Sequence, residues 1–538
     1  MFYKKFDTFL FYFVLLLAIM ALSFSYNGLD NDLFSRLIQG KAVVECLFPM
    51  TKDIFSYTPT DSWVDHEWLF SGLFYLIQKA FGLFGLVFLK GALIFLYVFS
   101  ISFAISKMLK IENSKENPYN FSFYFLLVLH IVNFNLIYNT IKIQWISFIL
   151  LPFWILCLEK LKLEDKKYLF ILPILSVFWL NCHGGILAGV GILFLYILNS
   201  FISKKPSKCL CLGFVLVLLT FFINPWSYKY ILFLFDALTY DKSSMSEWSN
   251  IFNPQIRSLN LWVYKFFLLF SAFWIILQFK KFKNHKETKP DFARILVLLA
   301  TMVLSILHIK HIELFIVCFS LYCYQDFYKL FNFTKTFILK ALKNNFFYSI
   351  QKYFKYLLYI FVLIYSFVLI SNSSYKETTW ADSREFFPVD CVNFLIQNNV
   401  EAKVLAPFTV SDYVSFKGYP RLKVFMNSRY EQVYPKEYLK MTTDFFNLEG
   451  EKPLRILFEY PPDIIIFENY RPIARNSNIL IELGYSQIYQ DNFYSAFVIN
   501  SKRQFSYFYP RKLTIKELDH IFETNFNKQD CVKNCKNN

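Results

Sequence analysis

Charge is what this chain lacks. Only 18% of its 538 residues are charged, where soluble proteins carry about a quarter. Hydrophobic residues make up 56%, with a mean hydropathy of +0.36, so a soluble domain is disfavoured. The ten cysteines form no Cys-x-x-Cys pair, which removes the usual zinc-ribbon and dithiol signatures. Cys531 and Cys535 have the spacing of a small disulfide or of two free thiols in a frayed tail. A phosphate-binding loop, a dinucleotide GxGxxG, a GxSxG elbow and zinc-ligand spacing are all missing. With no nucleotide site, an activated substrate has to arrive in the membrane. No internal repeat is evident, and repeats are common in secondary transporters.

What is present is a series of apolar runs near the 17–25 residues, roughly, that cross a bilayer. They fall at about 8–26, 84–106, 121–138, 143–158, 168–182, 185–202, 209–224, 261–279, 292–308, 311–328 and 353–373. The expected fold is mainly α, a polytopic helical membrane protein of about 11 spans. Lys4 and Lys5, Lys107 to Lys115, Lys160 to Lys167, Lys204 to Lys208, Lys280 to Arg294 and Lys329 to Lys355 occupy alternate loops. The positive-inside rule puts that side in the cytoplasm, so the N-terminus is expected inside and the region beyond 375 outside. The net charge of +16 then reads as topology and contact with anionic lipid, and no nucleic acid is implied. No small-residue cleavage site follows the first run, which reads as a retained helix.

The first outer loop, 27–83, is too long for a connector. Within it Leu29–Val44 and Glu67–Phe81 carry apolar residues at helical spacing and read as interfacial helices. Phe48-Pro49 and Tyr57-Thr58-Pro59-Thr60 mark turns between them. Beyond 375, Ala402–Pro407, Lys423–Met426 and Asp463–Phe467 read as strands, and Pro388–Asn398 and Pro435–Phe446 as helices. The expected organisation is a transmembrane domain 1–374 with its long first loop, a small extracytoplasmic α/β domain 375–505, and a polar tail 506–538.

The residues suited to chemistry gather in the outer loops. Asp30 and Asp32 open the first interfacial helix. Two carboxylates so placed suit removal of a hydroxyl proton or a divalent cation such as Mg or Mn, and equally suit helix capping. Asp65-His66-Glu67 forms a second acidic group between Trp63 and Trp68, with a solvated helix start as the ordinary alternative. Lys142 stands where basic residues are otherwise rare, suited to an anionic lipid-linked substrate or to snorkelling toward headgroups. His183 lies in the turn Asn181-Cys182-His183-Gly184-Gly185. Glu247-Trp248 and His308-Ile309-Lys310-His311 continue the pattern. Each alone is more often unremarkable; their common side is the signal.

In this order the features resemble the GT-C superfamily of membrane glycosyltransferases, and more closely a bacterial group with polyprenyl-phosphate-sugar donors. That group's first loop reads as an acidic-aromatic helix, a proline–aspartate turn closed by Phe-Ser-Tyr-Thr, and Trp-x-x-His-Glu-Trp-Leu. The corresponding stretches are Asp32 to Gly40, Pro49 to Thr58 and Trp63 to Leu69. The similarity continues in Trp179 to Gly185, Asn224-Pro225, Glu247-Trp248, Lys310-His311-Ile312 and Val424 to Glu431. Three departures stand out: Lys142-Ile143-Gln144 replaces Arg-Pro-Gln, Lys310 replaces Arg, and Asn427 stands where Asp is common.

The resemblance implies inverting transfer of a sugar from a polyprenyl-phosphate donor to an extracytoplasmic glycan, lipid or protein at the cell membrane. Asp32 or Asp30 is the implied general base. Asp65, His66, Glu67 and Glu247 are expected to position the acceptor or a cation. Lys142, His183, Lys310 and His311 are expected to hold the donor phosphate. The outer domain, which carries Arg429 and Glu431 on a turn after a strand, is expected to contact the acceptor, with a stabilising cap as the ordinary alternative. The alternatives are a flippase or transporter of lipid-linked glycans and a non-catalytic scaffold. Transporters place ionisable residues near mid-span, where His130 is the only histidine.

Overall fold

The computed structural model describes residues 31–45, 51–112 except 62, 141–239, 246–253, 261–284, 291–330, 383–430 and 432–500. It adds scattered positions within 9–23, 123–133 and 332–364. Asp30, Glu431 and the tail beyond 500 lie outside the described residues, as do most of the apolar runs at 8–26, 121–138 and 353–373. Among the described residues the protein is mainly helical with one small sheet. The chain divides into two compact units. One comprises Met1–Gly28, Ile77–Ile231 and Asp241–Tyr375; the other comprises Leu29–Leu76, Leu232–Tyr240 and Lys376–Asn538. A cut at 375 alone misses this arrangement, because the first loop folds with the C-terminal region.

Helix α1 (Asn31–Glu45) carries Asp32 in its first turn. Helix α2 (Trp68–Ile111) is broken at Gly82, with φ 61° and ψ −151°, a conformation that only glycine takes without strain. The break falls between the interfacial helix and the span expected from sequence.

The first unit is built on α3 (Trp145–Lys162), α4 (Tyr168–Cys182), α5 (Ile186–Ile202), α6 (Lys208–Thr220), the start of α7 (Tyr228–Thr239), α8 (Trp262–Asn284), α9 (Phe292–Leu307) and α10 (Ile312–Tyr322). Helix α7 falls in a stretch that hydropathy alone reads as a loop. Two described stretches, Phe84–Ile111 and Trp262–Phe279, are long and apolar enough to cross a membrane. Tyr168–Cys182, Ile186–Ile202, Lys208–Thr220 and Phe292–Leu307 are shorter apolar helices. Phe170, Ile174, Leu269 and Ile276 point outward, so the apolar character is not confined to the core. Trp154 of α3 packs edge-on to Trp179 of α4, with ring centres 5.6 Å apart. Its indole N–H donates to the Gly189 carbonyl of α5 at 2.8 Å. Arg294 of α9 donates to both carboxylate oxygens of Glu159 on α3, at 2.9 and 3.1 Å, which satisfies two buried charges at once.

The second unit holds a five-stranded sheet in the order β2-β1-β3-β5-β4. It follows α11 (Val389–Gln397) and consists of β1 (Ala402–Leu405), β2 (Leu422–Val424), β3 (Ile464–Glu468), β4 (Tyr485–Gln490) and β5 (Tyr494–Ile499). β1 pairs in parallel with β2 and β3, while β5 runs antiparallel to β3 and β4. Helix α12 (Phe408–Gly418) supplies the crossover from β1 to β2 that parallel pairing requires.

The edge of β2 is covered by the first loop. Ser56 bridges Val424 in parallel; Tyr57 N–H donates to Val424 O at 3.1 Å and Val424 N–H to Phe55 O at 3.0 Å. An edge so paired is closed to other strands. Ile38, Ala42, Phe55 and Trp63 share one apolar core with Leu405, Phe425, Met426 and Phe497. Phe55 and Trp63 are almost fully buried, which contributes roughly 3–6 kcal/mol between them. Gly40 lets α1 lie directly on the start of α2: a Cβ there would stand 2.0 Å from the Ser71 carbonyl oxygen.

Candidate functional site

The acids of the first loop are gathered around Arg36. Being one turn after Asp32 on α1, Arg36 forms an ion pair with Glu67, which the Gly40 contact brings alongside. Burial by itself would depress the Arg36 guanidinium, but Glu67, Asp32, Asp65 and Asp412 around it outweigh burial and raise it. The Asp65 Oδ1 accepts the Glu67 backbone N–H at 3.0 Å, a local turn just before α2. Its Oδ2 is buried with no hydrogen-bond partner. Burial pushes the Asp65 carboxyl up to about 7, against the opposing pull of the Glu67 N–H and Arg36. His66 Nε2 lies 3.5 Å from Glu67 Oε1, and its ring packs on Phe233 at 4.9 Å. Asp32 is half-buried. Glu67, expected to position the acceptor or a cation, is paired with Arg36.

Asp412 was missed from sequence. It lies on α12, which packs against α1, and is fully buried. Burial pushes its carboxyl up to about 7, opposed by Ser428, and Asp32 adds to the rise. An aspartate among Val410, Tyr413 and Val414 was the available signal: a charge inside an otherwise apolar helical stretch.

A second pair locks the loop to the sheet. Asp53 Oδ1 meets Arg429 Nη1 at 2.8 Å, both side chains fully buried. Asp53 also accepts the N–H groups of Phe55 at 3.2 Å and Ser56 at 3.1 Å. Burial would raise the Asp53 carboxyl, but the Arg429 charge and these bonds hold it below its ordinary value. Arg429 donates from Nε to Asn427 Oδ1 at 3.0 Å and from Nη2 to Tyr434 OH at 3.2 Å. Its guanidinium lies 4.8 Å from the Trp63 ring and 5.1 Å from Phe55. Arg429 is thus paired inside the second unit; a strand-end arginine looks the same in sequence whether it faces solvent or a buried carboxylate. Asn427 serves here as an acceptor, a role its amide oxygen fills as an Asp would.

The remaining candidates lie in the other unit. Glu247 Oε2 is 3.6 Å from Lys142 Nζ, and Glu247 Oε1 is 3.7 Å from Lys310 Nζ. Lys310 Nζ lies 4.2 Å from the Trp248 ring centre. The rings of His308 and His311 stand 5.3 and 5.8 Å from that of Trp248. Four residues from three separate stretches are thus brought together: Lys142, Glu247, Lys310 and His311. His183 is held elsewhere, its Nδ1 2.7 Å from Ser147 Oγ and accepting the Gly185 N–H at 3.0 Å. Among the described residues no group of three His, Cys, Asp or Glu side chains is arranged to hold a metal ion.

No family model and no curated protein matches this sequence. The fold, a helical region with a small C-terminal sheet domain, is similar to that of a solved archaeal protein. The likeness is to the crystal structure of the oligosaccharyltransferase of Archaeoglobus fulgidus in the apo form, with a TM-score of 0.52 and 12% identity, covering 88% of this chain and 73% of that one. A second structure, the archaeal oligosaccharyltransferase AglB from Archaeoglobus fulgidus in complex with an inhibitory peptide and a dolichol-phosphate, matches with a TM-score of 0.42 and 13% identity, over 90% of this chain and 73% of that one. At such identities the likeness is one of fold.

Proposed function

We propose that this protein is a membrane glycosyltransferase that moves a sugar from a polyprenyl-phosphate carrier to an extracytoplasmic glycan, lipid or protein. The observation that carries this reading is the collection of first-loop carboxylates about Arg36, in a chain with a GT-C-like fold. In the reaction an acceptor hydroxyl attacks the anomeric carbon. The bond from that carbon to the phosphate oxygen breaks, and the carrier phosphate leaves with the electron pair. Asp32 takes the hydroxyl proton, and attack from the far face inverts the anomeric carbon. Asp65 and His66 orient the acceptor, while Lys142, Lys310 and His311 hold the donor phosphate and offset its charge as it leaves. The described acids converge on a guanidinium, which fits them poorly to a Mg or Mn ion, and no metal enters the scheme.

The reading places the protein in the cell membrane with about 11 spans, the N-terminus cytoplasmic and the C-terminal region outside. Its test is incubation of the purified full chain with polyprenyl-phosphoryl hexoses and measurement of released carrier phosphate. Asp32→Asn should insert and fold normally yet lose turnover by about 100-fold or more, the usual range for a lost general base. Absence of release with every donor tried would overturn the enzyme reading. Unchanged turnover in Asp32→Asn would remove Asp32 from the chemistry.

A further inference from the structure

The contacts of Glu247 carry more than a positioning role. Glu247 sits on a short turn, Ser246–Trp248, and Lys310 on another, Ile309–His311. The two turns are clamped together: Ile309 N–H donates to Ser249 O at 3.2 Å, Ile251 N–H to Ile306 O at 3.1 Å, and His308 Nδ1 lies 2.7 Å from Trp248 O. The carboxylate at this clamp spans two ammonium groups, one per oxygen, at 3.6 and 3.7 Å. Charge-assisted bonds to carboxylates run about 2.7–2.9 Å, so both contacts are loose. The side chains of Lys142, Lys310 and Glu247 are 22%, 25% and 34% exposed, open enough to exchange partners. Trp248 and the two histidines wall the lysine side of the cluster, and an indole face favours a cation resting on it.

We infer that Lys142 and Lys310 form a seat for a phosphate-type oxyanion, and that Glu247 is a built-in competitor whose carboxylate holds the seat until that oxyanion displaces it. This rests on the proposed glycosyl transfer and identifies the oxyanion as the phosphate of the lipid-linked donor. A carboxylate and a phosphate each present two oxygens to two ammonium groups. The resident carboxylate weakens the pull of the two ammonium groups on an incoming anion. Removing a like charge about 4 Å from a bound anion, near a protein surface, strengthens binding tenfold or more, by order of magnitude.

The test uses the full chain in detergent micelles, with polyprenyl monophosphate and inorganic pyrophosphate as probes. Glu247→Gln keeps the shape and removes the charge, and should bind both probes about tenfold tighter or better. Lys310→Ala should bind both more weakly. Glu247→Asp, which retracts the carboxylate, should fall between native and Glu247→Gln and guards against a folding artefact. Equal or weaker binding by a folded Glu247→Gln would overturn the competitor role while leaving the donor reading in place. Tighter pyrophosphate binding with no lipid-phosphate binding would keep the seat and overturn its assignment to the donor. Failure of native and variant to bind either probe would overturn both.

Discussion

Replacing Arg429 with Met tests how the first loop is held. The change leaves the Asp53 carboxylate fully buried without its guanidinium, held by Phe55 and Ser56. Breaking a buried pair by removing one partner costs about 3–5 kcal/mol. The same figure follows from protonation. A carboxyl that takes up a proton at pH 7, with an ordinary value near 3.8, costs about 1.4 kcal/mol for each of roughly three pH units, or about 4 kcal/mol. The assay is hydrogen exchange at the Tyr57 and Val424 amides, which join loop to strand. Their exchange should quicken by about three orders of magnitude at pH 7, the rate equivalent of that energy. Because the cost is one of protonation, the loss should shrink by about 1.4 kcal/mol per unit as pH falls toward 5. The double variant Asp53→Asn with Arg429→Met should recover much of the protection. Unchanged exchange in Arg429→Met, or a loss independent of pH, would refute the buried-pair account.

Other outcomes follow from the same contacts. Gly40→Ala places a Cβ against the Ser71 carbonyl and should push α1 off α2, costing about 1–3 kcal/mol; a thermal midpoint unchanged from native would contradict the close packing. Asp65, raised to about 7 in the fold from an ordinary 3.8, binds more protons folded than unfolded between those values, so its contribution falls as pH rises from about 4 to 7 and is flat above. The second unit should accordingly resist exchange better at pH 5 than at pH 8, and Asp65→Asn should flatten part of that slope. Asp53, held low, acts in the opposite sense only below about pH 4. Single cysteines at Thr60, Met245 and Tyr430 should label from outside, and those at Asn113, Glu164 and Asn284 should not; outside labelling at position 164 would overturn the orientation.

Much of the architecture was legible from one sequence because it rests on local rules. Hydropathy and periodicity located α1, the two parts of α2 and most of the apolar helices. Alternation and turn residues located the strands at 402–407, 423–426 and 463–467, each within two residues of the folded element. Local spacing also marked Asp32, the Asp65 to Glu67 group, Glu247 and Lys310 as residues of interest. What sequence could not supply was partnership. Asp53 and Arg429 are separated by more than two thirds of the chain, and nothing within one turn of either says that they meet. Local signals suggest acceptor contact for the turn that carries Arg429, and acceptor or cation positioning for Glu67 and Glu247. The fold instead turned each toward a buried or half-buried countercharge.

Tertiary structure also decided that the first loop completes the C-terminal sheet domain. Strand pairing at Ser56 and Val424 depends on long-range register, not on any local signal. Asp412 shows the same division. Its residue type and its helix can be read from sequence, but its near-neutral carboxyl comes from burial against α1, and burial is a property of the packed chain alone.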